Sequence, residues 1–77
     1  MMNDGQINKV TAPMVGKIIQ VKVKPGDTVS ANQSMITFES MKIEMEIMAP
    51  VAGKVKEVLV SAGQVIEAEQ TLATIEA

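Results

Sequence analysis

Apolar and polar residues roughly alternate through Lys17-Ile18-Ile19-Gln20-Val21-Lys22-Val23, and again through Lys54-Val55-Lys56-Glu57-Val58-Leu59-Val60. A two-residue period rich in β-branched side chains predicts half-buried strands. Lys24-Pro25-Gly26-Asp27 breaks the first segment and Ser61-Ala62-Gly63-Gln64 the second. Short strands are predicted at Thr28-Val29 and Val65-Ile66. Longer ones follow over Ser34–Glu39 and Thr71–Glu76. Ala31-Asn32-Gln33 and Ala68-Glu69-Gln70 read as tight connections between them. No segment carries a 3.6-residue apolar period with caps, so no substantial helix is predicted.

These predicted elements come in two copies. A shift of 37 positions lays residues 10–40 on residues 47–77 without a gap. Ala12-Pro13 meets Ala49-Pro50, Gly16-Lys17 meets Gly53-Lys54, and Gly26, Ala31 and Gln33 meet Gly63, Ala68 and Gln70. Each half begins with Ala-Pro-x-x-Gly, a turn in which proline fixes φ and glycine is expected to take a positive φ. A β-branched residue at Gly16 or Gly53 should therefore damage the fold. Neither half can close a core alone. The expected product is an all-β domain, a sandwich or flattened barrel of two small antiparallel sheets related by a pseudo-twofold axis. Residues 1–8 read as a flexible lead-in with a strand starting near Ile7, and residues 9–77 as a single domain.

Composition narrows the chemistry. Phe38 is the only aromatic residue, and cysteine and histidine are absent. The commonest metal ligand and general base are therefore missing, as are disulfides, and no metal site is expected. Seven lysines face nine acids, with no basic stripe and no stacking surface, so nucleic-acid binding is not expected. No apolar run approaches the ~20 residues of a membrane span. Met1–Gly5 lack the basic and apolar regions of a signal peptide, so a cytoplasmic location is expected. No serine has a histidine to activate it, and no catalytic residue is assigned.

The join between the halves is Ser40-Met41-Lys42-Ile43-Glu44-Met45-Glu46. The strand ending at Glu39 and one running from about Lys42 to Met48 should pair as a hairpin, with Lys42 at or near its tip. Residues 42, 44, 46 and 48 then share one side. Ile43, Met45 and Ile47 share the other and are the expected core positions. A lysine at a hairpin tip is ordinarily a solvated charge.

The tetrapeptide Glu39-Ser40-Met41-Lys42 resembles the attachment motif of biotin carboxyl carrier domains, commonly Glu-Ala-Met-Lys-Met. Here Ser40 replaces Ala, and Ile43 the second Met. The resemblance runs from about Val10 to Ala77 and includes both Ala-Pro-x-x-Gly turns and Pro25-Gly26-Asp27. It implies the biotinyl/lipoyl attachment fold, a barrel-sandwich hybrid, with biotin amide-linked to Lys42. It makes Met41 and Ile43 flanking residues read by a biotin protein ligase, and Glu39, Ser40 and Glu44 the rest of the attachment turn. Lipoyl domains usually carry Asp where this chain has Met41. The gapless repeat leaves no room for the protruding thumb of some bacterial acetyl-CoA carboxylase carriers. That points to thumbless relatives: acyl-CoA or pyruvate carboxylases, transcarboxylases and sodium-pumping decarboxylases. The implied role is non-catalytic, a shuttle of a carboxyl group between a biotin carboxylase and a carboxyltransferase or decarboxylase. The alternatives are a lipoyl carrier of a 2-oxoacid dehydrogenase-type complex and an unmodified structural domain of the same fold.

Overall fold

A computed structural model describes residues 6–77, and these form eight strands. They are β1 (Ile7–Thr11), β2 (Gly16–Val21), β3 (Thr28–Val29), β4 (Ser34–Ser40), β5 (Ile43–Met48), β6 (Gly53–Val58), β7 (Val65–Ile66) and β8 (Thr71–Glu76). Two antiparallel four-stranded sheets result, ordered β1-β8-β6-β3 and β5-β4-β2-β7. Replacing β1, β8, β6 and β3 by β5, β4, β2 and β7 turns one sheet into the other, as a pseudo-twofold axis requires. The halves interlock rather than stack. In each sheet the central pair comes from one repeat and both outer strands from the other.

The repeat holds at the level of single hydrogen bonds. Gly26 N donates to Val55 O at 2.8 Å, and its counterpart Gly63 N donates to Ile18 O at 2.7 Å. Gln33 Oε1 accepts from Ser30 N at 2.9 Å, and Gln70 Oε1 from Glu67 N at 3.0 Å. The repeated glutamines therefore close the tight connections that both halves need. Asn32 and Glu69, one in each connection, have φ of 69° and 67°. β2 and β6 both have register irregularities, between Ile18 and Gln20 and between Val55 and Glu57. Such bulges coil a sheet toward closure.

The core lies between the sheets. Ile18, Met35, Ile36 and Phe38 from one repeat pack with Ile66, Leu72, Ala73 and Ile75 from the other, all fully buried. Phe38 and Ile75 occupy equivalent positions, so the single aromatic ring fills one end of an otherwise aliphatic interior.

Two expectations need correction. Gly16 and Gly53 do not have positive φ; Gly26 and Gly63 do, at 97° and 91°. What Gly16 supplies is close approach, because a Cβ there would sit 2.5 Å from Glu39 O and crowd the Phe38 ring. Gly53 repeats this against Glu76 O and Ile75. Second, Ile43 is not in the core. Burial fades along β5 from buried Ile47 through half-buried Met45 to Ile43, which is 63% exposed beside the turn. The strand expected near Ile7 is β1, and the first five residues of the expected lead-in lie outside the described residues.

Candidate functional site

Strands β4 and β5 are joined by a two-residue turn, Met41-Lys42, closed by the Ser40–Ile43 pair. Met41 has φ 55° and Lys42 φ 68°. Positive φ at both central residues is the signature of a type I′ turn, whose twist matches that of the flanking strands. Asn-Gly is the usual choice there. Two ordinary L-residues in the left-handed region cost roughly 1–2 kcal/mol each. A strained conformation held by firm surroundings is typical of functional sites.

The surroundings hold this turn in two ways. β4 lies between β2 and β5, so the strand leading into the turn is braced on both sides. Ser40 is buried, and its Oγ donates to Val15 O at 2.8 Å, tying the hairpin to the loop between β1 and β2. Met41 is 87% exposed and Lys42 is exposed beside it. Among the described residues the ion pairs are Lys22–Glu46 and Lys24–Asp27, so no ion pair engages Lys42.

Next to the turn lies an open hollow of about 320 Å³, lined by Val15, Gly16, Lys17, Glu39, Ser40, Met41, Lys42 and Val65. It joins the loop after β1, the first residues of β2, the turn itself and the start of β7. Cross-strand register sets Lys17 against Glu39 and Glu39 against Glu44. Glu39 is half-buried and Glu44 exposed. The structure thus brings Glu39, Ser40, Met41, Lys42, Ile43 and Glu44 to one end of the molecule. Sequence reasoning missed Val15, Gly16, Lys17 and Val65, which are distant in the chain and reach Lys42 only through sheet pairing.

Farther down the hairpin, Glu46 is held by three donors. Ser34 Oγ and Lys22 Nζ donate to its Oε1, the latter at 3.0 Å, and Thr37 Oγ1 lies 3.2 Å from both carboxylate oxygens. These bonds, that from Ser34 foremost and then that from Lys22, lower the Glu46 pKa below the ordinary carboxylate value. The cluster pins β5 to β4 and to the segment that follows β2. Among the described residues no group of three or more His, Cys, Asp or Glu could hold a metal ion. Among the described residues no helix is long and apolar enough to cross a membrane.

Known proteins place this arrangement. Over 39 residues the chain is 54% identical to the glutaconyl-CoA decarboxylase gamma subunit of Acidaminococcus fermentans, covering 51% of this chain and 27% of that protein. Over 41 residues it is 51% identical to the biotin carboxyl carrier protein of Streptococcus mutans, covering 53% of this chain and 32% of that one. The chain therefore spans no more than a third of these relatives. Kluyveromyces lactis urea carboxylase contains a region that superposes on 97% of this chain with a TM-score of 0.85 at 28% identity, covering 7% of that enzyme. The biotin/lipoyl family model, described as "Biotin-requiring enzyme", matches residues 8–75, and with that coverage the chain belongs to the biotinyl/lipoyl attachment family.

Proposed function

We propose that this chain is a biotin carboxyl carrier, with biotin amide-linked to Lys42. The observation that carries the proposal is an exposed lysine at the tip of a strained two-residue turn, directly preceded by an 87% exposed methionine. The residues present fit the group. An acceptor amine must be reachable in a reproducible position, and Lys42 stands clear of any ion pair among the described residues. The sheet and the Ser40–Val15 bond fix where its main chain sits.

In the attachment step, Lys42 Nζ forms an amide bond to the carboxyl carbon of biotinyl-adenylate. AMP leaves and the amine gives up a proton. A biotin protein ligase supplies the adenylate from biotin and ATP, and reads Met41 and Ile43 beside the lysine. Once attached, biotin supplies the ureido nitrogen that carries a carboxyl group. The chain's own part is to hold that arm at the end of a stiff hairpin and present it to each partner. Tethering replaces diffusion of a free cofactor with a high local concentration. The partners are a biotin carboxylase and a carboxyltransferase or decarboxylase. These contribute the catalytic groups, so the carrier is not itself an enzyme. The need of the ligase and carboxylase steps for ATP supports a cytoplasmic location.

Met41 before the lysine favours biotin over lipoate within a family that holds both carriers. The test is intact mass after incubation with biotin, ATP and a biotin ligase, beside Lys42→Arg. One biotinyl group on the parent and none on the variant is the expected result. No gain on the parent, from a ligase active on another carrier, would overturn the proposal. Lipoylation of Lys42 would then mark a lipoyl carrier, and no modification by either ligase an unmodified structural domain.

A further inference from the structure

The repeat provides an internal control for the surface around Lys42. Residues 37 positions apart occupy equivalent backbone sites at opposite ends of the molecule. β2 and β6 share one burial pattern, as do β3 and β7. Val15 and Val65 line the hollow beside Lys42 and are 58% and 70% exposed. Their equivalents at the other end are Ala52 and Thr28, both exposed. Exposed Ile43 has exposed Gln6 as its equivalent. The charged pair that flanks the hollow does not differ in this way: Lys17 and Glu39 recur as Lys54 and Glu76. The fold thus accepts a small or polar residue at each of these sites, and at the lysine end the same sites carry exposed apolar side chains around one hollow. Single exposed apolar residues need no explanation, but a cluster around one hollow does.

We infer that Val15 and Val65 form an apolar seat for the ligase that acylates Lys42, an inference that rests on the carrier reading above. Lys42 and the two valines line one hollow, so an enzyme that reaches Nζ covers them. Later partners act at the far end of the attached arm and need not approach this floor. Lys17 and Glu39 are opposite charges paired in register, which suits an apolar contact rather than a charged one.

The test exchanges residues between the two ends. Val15→Ala with Val65→Thr installs the side chains that the same backbone sites carry at the other end. Ala52→Val with Thr28→Val is the control. Biotinylation is followed with purified biotin protein ligase, biotin and ATP over a range of carrier concentrations, with melting midpoints taken in parallel. The first pair removes three methyl groups, two from Val15 and one from Val65, and is expected to raise KM by about tenfold or more, with kcat unchanged. The control pair is expected to leave KM unchanged. An unaltered KM in the first variant, or an equal rise in the control, would overturn the seat while leaving Lys42 as the attachment site. Failure of the parent to accept biotin would overturn the carrier reading and the seat with it.

Discussion

Gly16 occupies a place where a single methyl group should be felt across the molecule. In Gly16→Ala the new Cβ would lie 2.5 Å from Glu39 O and 2.8 Å from Phe38 Cε1. Glu39 is paired with Lys17 on one side and Glu44 on the other, so its carbonyl cannot retreat without disturbing the centre of the β5-β4-β2-β7 sheet. Phe38 is fully buried within the core. Overpacking of this kind costs about 1–3 kcal/mol. Against that, replacing glycine at an ordinary φ stiffens the unfolded chain and returns roughly 0.4–1 kcal/mol. The net loss is about 1–2 kcal/mol, set against the ~4–12 kcal/mol total expected for a chain of this length. At about 4–8 °C per kcal/mol for a small domain, the melting midpoint should fall by about 4–16 °C. Urea unfolding with an unchanged slope would show that the loss is stability and not a change of state. In a Phe38→Leu background the same substitution should cost less, because the ring that meets the methyl is gone. Equal unfolding midpoints for the parent and Gly16→Ala would refute the close-approach reasoning.

Other outcomes follow from named contacts. Ser40→Ala removes the bond to Val15 O and should cost about 1 kcal/mol. Amide exchange at Met41 and Lys42 should quicken more than in the core; an unchanged rate at the turn would show that the bond does not hold it. Glu46 has a folded-state pKa below its unfolded value, so its contribution to stability is present above the unfolded pKa and is lost as pH falls through the folded one. Glu46→Gln should therefore narrow its gap to the parent as pH drops below the ordinary carboxylate range. A gap constant with pH in denaturant titrations would show that the Ser34–Lys22–Thr37 cluster does not act through the carboxylate's charge. Glu69 has φ 67°, a region asparagine tolerates better than glutamate. Glu69→Asn should raise the melting midpoint slightly; a fall would mean the glutamate side chain has a role of its own.

Much of the fold was legible in the chain because its signals are local and doubled. Two-residue alternation marked β2 and β6, Pro25-Gly26 and Ala62-Gly63 marked their ends, and the 37-residue repeat required the halves to be alike. The tetrapeptide around Lys42 marked the candidate site for the same reason: a two-residue turn is built from adjacent residues.

Three things depended on distance along the chain. Alternation says which residues of β5 share a face, but not where the core ends, so Ile43 reads like Ile47 and is exposed where Ile47 is buried. Proline and glycine spacing announces a turn, but Gly16 is needed because β4, more than twenty residues away, brings Glu39 O and Phe38 against it. The hollow beside Lys42 exists because β7 of the second repeat pairs with β2 of the first, carrying Val65 to the attachment turn. The sequence by itself determined the strands, their order in two similar repeats and the lysine between them. Only the tertiary structure decided which side chains surround that lysine, because long-range sheet pairing creates neighbours that no local pattern encodes.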